Sequence, residues 1–219
     1  MVEVPENTSL PSTTLLLAFA LICLGMVLTP GPNMIYLVSR SICQGPMAGI
    51  VSLGGVALGF LVYVLLTAFG ITVLLFAIPF AYDLLKVAGA VYLAWLAWQA
   101  VRPGGRSPFQ VRDLPQDSNR KLCLVGFVTS LLNPKIAVLY LSLLPQFVDP
   151  AGGSVLLQLL VLGFMQIAIS VTVNGLIALS AGSIAHFLAG RPVWLVVQRW
   201  LMGTVLAGLA VRMVTEAQR

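Results

Sequence analysis

Thr29-Pro30-Gly31-Pro32-Asn33 interrupts the first long apolar segment of the chain, and Asn133-Pro134-Lys135 interrupts a later one. Proline inside a helix removes a backbone donor and clashes with the carbonyl one turn back. Within hydrocarbon, a broken helix persists only where protein or a wet cavity satisfies the freed backbone groups. Paired breaks in corresponding segments of two halves point to a transporter's binding site. The two runs therefore predict two discontinuous helices that meet around a small solute.

The composition is that of a membrane protein. Apolar residues occupy 59% of the 219 positions and charged residues only 9%, with a mean hydropathy of +1.00. A soluble domain carries about 25% charged residues, so too little polar surface remains here to coat a globule in water. The runs 41–82 and 150–190 lack Asp, Glu, Lys and Arg, and each exceeds the roughly 20 residues that span a bilayer. We predict an all-α polytopic membrane protein.

Six membrane segments are predicted, in two halves of three. The halves are residues 1–101 and 122–219, and they flank a polar loop at 102–121 that is rich in Pro, Gly, Arg and Asp. In the third segment, Asp83 and Lys86 lie close enough to the interface to snorkel. The six predicted segments are 13–39, 47–76, 79–101, 122–147, 154–185 and 193–213.

Basic residues predict the orientation, because cytoplasmic loops carry an excess of Lys and Arg. With six spans, eight basic residues fall on one side and three on the other, so we expect the 102–121 loop inside and both termini outside the cytoplasm. The net charge of +5 is then explained by membrane topology and by attraction to membrane lipid. It does not indicate a nucleic-acid partner. The larger set is Arg40, Arg102, Arg106, Arg112, Arg120, Lys121, Arg191 and Arg199, and the smaller is Lys86, Arg212 and Arg219.

Short matches at a constant separation predict an internal repeat. Pro30 and Pro134 are 104 positions apart, as are Leu58-Gly59-Phe60 and Leu162-Gly163-Phe164. Because three helices per half is an odd number, the second copy enters the membrane from the opposite side, as in the 3+3 inverted repeats of many secondary transporters. One further pair of matches is 114 apart and requires a ten-residue insertion: Gly89-Ala90-Val91 and Gly203-Thr204-Val205.

The two breaks supply the candidate binding groups. A restarted helix presents unpaired N–H groups and a positive dipole end, which hold an anion such as an amino-acid carboxylate. The residues expected to bind substrate are Gly31, Asn33, Asn133 and Lys135. The residues expected to serve the break itself are Thr29, Pro30, Pro32 and Pro134.

Lys135 follows the second break, where an unpaired ammonium costs roughly 3 kcal/mol on insertion scales. Its partner is therefore expected to be a substrate carboxylate, exposed backbone carbonyls or water. We favour contact with substrate, the alternative being that Lys135 caps carbonyls and never meets it.

The remaining polar residues carry weaker signals. Asp83 and Lys86 are interpreted first as an interfacial ion pair, and Asp83 second as a protonatable group that couples transport to protons. Polar residues of the fifth segment either line a polar path or bond between helices, the commoner use; they are Gln158, Gln166, Thr172 and Asn174. No catalytic pair, metal cluster or cofactor motif is evident, so we expect no enzyme. Whether two copies form a homodimer is left open.

The chain resembles the LysE/RhtB family, the lysine and homoserine/threonine exporters of bacteria. The resemblance starts at the Thr-Pro-Gly-Pro-Asn run and continues in family order through 45–59, 85–93, 126–127, 132–135, 144–147 and 203–212. It implies an inner-membrane permease that exports amino acids or close derivatives, driven by the proton motive force. It also maps the family's paired breaks onto Pro30, Pro32 and Asn33, and onto Asn133, Pro134 and Lys135.

The predicted mechanism is alternating access around a zwitterion held between the first and fourth segments. Its carboxylate would lie at a half-helix N-terminus near Lys135, and its ammonium would face backbone carbonyls or an asparagine oxygen. Two alternatives remain: a thiol-disulfide relay and a passive small-solute pore on a similar repeat. A relay needs two cysteines related by the repeat, but the positions 104 away from Cys23 and Cys123 are phenylalanines.

Overall fold

The helices follow from long apolar runs that proline and glycine punctuate. A computed structural model describes residues 11–71, 79–102 and 116–189 and single positions between 193 and 211. Its described residues are helical with no strand, so the predicted all-α class is confirmed. The helices are α1 (Thr13–Leu28), α2 (Pro32–Gln44), α3 (Pro46–Leu66), α4 (Pro79–Val101), α5 (Asn119–Leu131), α6 (Pro134–Val138) and α7 (Val155–Ala189).

The first predicted break lies between α1 and α2, whose axes are bent by 55°. Thr29 ends α1: its N–H donates to the carbonyls of Gly25 and Met26, both at 3.2 Å, and its hydroxyl donates to Gly25 at 2.8 Å. Pro32 then starts α2 at the first helical position, where the missing N–H costs nothing. The predicted interruption is confirmed.

The second predicted break lies between α5 and α6, and the segment that α6 begins, Pro134–Phe147, is bent by 51° from α5. Asn133 caps α6, since its Oδ1 accepts from the backbone N–H of Lys135 at 3.1 Å, and Pro134 takes the first helical position. Beyond α6 the chain continues as a π-helical turn, Leu139–Leu143, and a 3-10 turn, Leu144–Phe147. A short 3-10 turn, Pro150–Gly152, precedes α7.

Two continuous helices are long and apolar enough to cross a membrane, Pro46–Gly70 and Val155–Ser183. Two bent pairs qualify when each pair counts as one span: α1 with α2, and α5 with Pro134–Phe147. This gives up to four spans in the described part of the chain. Helix α4 coincides with the predicted third segment. The predicted sixth segment, residues 72–76 of the second segment and residues 103–115 of the predicted loop lie outside the continuously described ranges.

Two helices extend beyond the predicted membrane segments. Helix α2 runs to Gln44, beyond the predicted 39, and Gly45 (φ +91°) ends α2 and caps α3 in a single residue. Such a positive φ favours glycine. Helix α5 begins inside the predicted loop, because the hydroxyl of Ser118 accepts from the Lys121 N–H at 3.4 Å and caps it. Local capping therefore determines where α2 ends and where α5 begins.

Helix α3 lies at the centre, against α2, α5 and α7. Glycines bring α3 and α5 into backbone contact: a Cβ on Gly55 would overlap the Cys123 carbonyl, and one on Gly126 would overlap the Ser52 carbonyl. Small residues allow such close approach in membrane bundles. The outer surface is apolar as well, for instance at Leu17 and Leu21 of α1, as a lipid-facing surface requires.

Candidate functional site

The two breaks meet through Lys135. Its ammonium donates to the carbonyl oxygens of Met26 at 3.0 Å and Thr29 at 2.7 Å, and the side chain is only 5% exposed. These carbonyls belong to the C-terminal end of α1, where a helix lacks intrahelical donors and where a cation is favoured. Lys135 therefore caps a broken helix, as the alternative interpretation expected; contact with substrate stays a prediction.

Gly31 lies directly beside this ammonium. A Cβ built on Gly31 would be 3.0 Å from Nζ and 3.1 Å from Cε of Lys135. Its backbone is extended (φ −154°, ψ 179°), a conformation open to any residue, so a larger side chain here is opposed by contact with Lys135 and not by backbone conformation. Its predicted role in binding substrate is untested, but its position next to Lys135 is clear.

At the second break, too, a side chain donates a hydrogen bond to the carbonyl end of the interrupted helix. The hydroxyl of Tyr63 on α3 donates to the carbonyl of Leu131 at the end of α5, at 2.8 Å. The Tyr63 ring stacks on Tyr140, with ring centroids 5.7 Å apart. Both broken ends thus have protein partners, as hydrocarbon requires. The sequence did not predict this role of Tyr63, because nothing near Tyr63 in the chain indicates that it bonds to Leu131.

A small cavity lies beside the first break and Lys135. Its volume is ≈ 20 Å³, which is room for about one water molecule. Both sides of the α1–α2 break, helix α6 and three polar residues of α7 contribute to its wall. The lining residues are Met26, Val27, Asn33, Met34, Phe60, Lys135, Ile136, Leu139, Gln166, Ser170 and Asn174.

The two predicted asparagines have different positions. Asn33 lines the cavity; its Nδ2 donates to the Ser130 hydroxyl at 3.4 Å, and its buried Oδ1 has no protein partner. Asn133 caps α6, does not line the cavity, and leaves its buried Nδ2 without a partner. Asn33 and Lys135 are therefore the two predicted binding residues that the structure brings to one cavity.

Three α7 residues four positions apart form a polar row on the cavity wall: Gln166, Ser170 and Asn174. Gln166 accepts a short hydrogen bond from the Tyr140 hydroxyl and donates from Nε2 to the Ser170 hydroxyl at 2.6 Å. Asn174 donates to the Ser170 carbonyl at 2.9 Å. The sequence indicated a polar face here through Gln166 and Asn174 but not Ser170 or Tyr140. Gln158 instead binds the Asp149 backbone, and Thr172 is exposed.

The predicted coupling residue, Asp83, lies within helix α4. Its side chain is outside the described part of the structure, so a role in proton coupling stays a prediction.

An ionic cluster that sequence reasoning missed joins the end of α2 to the start of α5; we call it the Asp117 clasp. The Asp117 carboxylate binds Arg40 at 2.9 Å and Lys121 at 2.6 Å. Gln44 makes two hydrogen bonds to the Asp117 backbone: its Nε2 donates to the Asp117 carbonyl at 2.8 Å, and its Oε1 accepts from the Asp117 N–H at 2.9 Å. The Lys121 hydrogen bond, followed by the charge of Arg40, holds the pKa of Asp117 below its ordinary value. In the sequence, only the i,i+4 spacing of Asp117 and Lys121 could have indicated this ion pair.

Long apolar helices, together with two bent helix pairs that meet at a small cavity lined in part by polar residues, fit a multi-pass membrane transport protein. Residues 24–217 match the family described as LysE type translocator, and the chain belongs to that family. It is therefore a transporter of the bacterial inner membrane and not an enzyme. The family resemblance read from the sequence is confirmed.

Curated relatives extend the comparison. The chain is 26% identical over 197 residues to a leucine efflux protein of Klebsiella pneumoniae, covering 87% of this chain and 90% of that protein. It is 32% identical over 163 residues to a homoserine/homoserine lactone efflux protein of Salmonella typhimurium, covering 74% of this chain and 78% of that protein. No solved structure matches the chain.

Proposed function

We propose that this protein is a secondary transporter that exports amino acids or close derivatives from the cytoplasm by alternating access, driven by the proton motive force. The observation that carries the proposal is the junction of the two helix breaks at Lys135, beside a cavity that α7 lines with polar groups. The names of the relatives, which are efflux proteins for leucine and for homoserine, support the amino-acid substrate.

The substrate pose follows from the charges of the cavity. Two of the three ammonium donors of Lys135 are used by Met26 and Thr29, so one remains for a carboxylate oxygen. The N-terminus of α2, at Asn33 and Met34, adds N–H groups without intrahelical partners. The unpartnered Asn33 Oδ1 is an acceptor for the substrate ammonium. A zwitterion thus finds complementary groups at one helix break.

The cavity must enlarge during transport, since an amino acid is several times larger than the one water molecule that fits. We propose that two three-helix halves, related as an inverted repeat, rock about the paired breaks. In the proposed orientation, with both termini outside, the Asp117 clasp lies on the cytoplasmic side. It would hold that side closed and must open to admit substrate.

Amino-acid efflux with and without overexpression tests this function. Loss of intracellular and gain of extracellular amino acids, abolished by an uncoupler, is the expected result. Efflux that is unaffected by the uncoupler would indicate a passive pore instead. An activity that disappears when Cys23 and Cys123 are both replaced by serine, in a protein made at normal levels, would indicate a thiol relay. None of the three cysteines forms a disulfide in the structure.

A further inference from the structure

A single charged side chain sets the electrostatics of the cavity. Among its described lining residues, Lys135 is the one with an ionisable side chain, while the polar remainder consists of the amides of Asn33, Asn174 and Gln166 and the hydroxyl of Ser170. The two carboxylates whose side chains the structure describes are engaged elsewhere. Asp117 is paired in its clasp, and Asp149 caps the Ala151 N–H at 2.9 Å. The described cavity wall therefore carries a cation without a protein carboxylate.

This charge distribution discriminates between substrates. A zwitterion brings one carboxylate to balance Lys135 and one ammonium, for which Asn33 Oδ1 is open. An amino acid with a cationic side chain brings a second ammonium, and no described lining residue can neutralise it. The carbonyls of Met26 and Thr29 already accept from Lys135. Desolvating an unpaired charge beside a like charge is costly, so the cationic substrate is rejected.

The polar row of α7 is placed to receive the side chain of the substrate. With the carboxylate at Lys135 and the α2 N-terminus, the remaining wall consists of this row and of apolar residues such as Phe60 and Met34. Gln166 and Ser170 are 1% and 3% exposed and are locked to each other and to Tyr140. A neutral wall of amides, a hydroxyl and hydrocarbon accepts neutral side chains, aliphatic or hydroxylated.

We propose that the transporter selects neutral amino acids and excludes cationic ones, and that Gln166 and Ser170 contact the substrate side chain. The inference rests on the proposed function and names its substrate class. It also identifies where the specificity could be reversed. A carboxylate at position 166 would keep both of its hydrogen bonds, because the hydroxyls of Tyr140 and Ser170 can each donate to it. Such a change would supply the counter-charge that a cationic side chain lacks.

Norleucine and lysine form a matched pair, since lysine differs from norleucine chiefly by its terminal ammonium. The purified full-length protein in liposomes is loaded with unlabelled leucine, homoserine or norleucine, and entry of labelled norleucine or lysine by exchange is measured. We expect norleucine to enter at least about tenfold faster than lysine. Lysine entry at a comparable rate would overturn this inference while leaving amino-acid transport intact. Exchange of none of these amino acids would overturn the proposed function, and this inference with it.

Two acidic variants, Gln166→Glu and Ser170→Asp, test the polar row directly. The expected result is a relative lysine rate at least about tenfold higher than in the native protein. Gln166→Met is the matched control, since it keeps a side chain of similar length without charge and should not admit lysine. If both acidic variants exchange norleucine but neither admits lysine, the assignment of the row is wrong.

Discussion

Lys135 and Thr29 are 106 positions apart, yet the ammonium of Lys135 lies 2.7 Å from the Thr29 carbonyl oxygen. This contact joins the two predicted breaks, because Thr29 ends α1 and Lys135 stands in the first turn of α6. It places the positive charge at the negative end of the α1 dipole. A substrate carboxylate arriving at the α2 N-terminus would therefore meet an ammonium that is already positioned.

Replacing Lys135 by Met tests whether this ammonium serves transport as well as structure. We expect efflux to fall at least about tenfold, because the charge proposed to attract the substrate carboxylate is lost. We also expect the free energy of unfolding to fall by roughly 1–3 kcal/mol, because the Thr29 carbonyl loses its Lys135 donor and the Met26 carbonyl keeps only the shared Thr29 N–H. Efflux from cells and thermal unfolding in detergent measure the two effects separately.

Arg120→Gln is the control for Lys135→Met, since Arg120 is an exposed cation in the first turn of α5. It should leave efflux and stability close to native. If Lys135→Met reached normal levels in the membrane and retained native efflux, Lys135 would be only a helix cap.

Gly31→Ala probes the space around the same ammonium. The new methyl would lie 3.0 Å from Lys135 Nζ, so the ammonium must move by a few tenths of an ångström. The backbone itself tolerates alanine, because its φ is extended. We expect efflux to fall about threefold to tenfold with little change in melting temperature, and further in Gly31→Val. Native efflux in both variants would show that the ammonium position does not matter.

Gly55→Ala tests the close packing of α3 on α5. Its methyl group would overlap the backbone carbonyl of Cys123, which cannot move aside as a flexible side chain can. We expect destabilisation of about 1–3 kcal/mol, the usual cost of overpacking, or loss of the protein from the membrane. Gly54→Ala is the control, since no atom lies within 4 Å of its added Cβ. Equal melting temperatures for the two variants would contradict the described packing.

The helix breaks could be predicted because proline acts locally. Pro32 and Pro134 each occupy the first position of a new helix, and the residues before them form the bend. The partner of Lys135 could not be chosen in advance, since substrate, carbonyls and water all satisfy an ammonium. Only the fold brings the α1 carbonyls to it, across more than 100 positions.

The buried faces of the helices were harder to predict. In α1, Phe19 and Cys23 are buried whereas Leu17 and Leu21 face outward. All four are apolar, because lipid and protein interior make the same demand on a side chain. Hydrophobic periodicity therefore does not show which face of such a helix is buried. In α3 the same ambiguity holds for adjacent glycines: Gly55 packs on α5 while Gly54 faces open space.

Asp117→Asn tests whether the Asp117 clasp holds one end of the transporter closed. Cys43 is a natural probe, since it forms no disulfide and lies in the helical turn between the clasp residues Arg40 and Gln44. In a Cys23→Ser, Cys123→Ser background, we expect Asp117→Asn to raise the rate of maleimide labelling of Cys43 severalfold. Gln44→Ala added to it should raise the rate further, because Gln44 holds the backbone of Asp117 independently of the carboxylate. Asp149→Asn, which alters a capping carboxylate of another turn, should leave labelling unchanged.

The pH dependence of the clasp follows from the carboxylate of Asp117. Its pKa in the folded protein is below the ordinary value of 3.8, through Lys121 first and Arg40 as well. Its stabilising contribution is therefore fully present above that ordinary value and is lost only as pH falls through the lower folded pKa. The ratio of labelling rates between Asp117→Asn and native Asp117 should stay constant from about pH 6 to about pH 8. A ratio that collapsed towards one within this range, or equal labelling throughout, would show that another contact keeps this end closed.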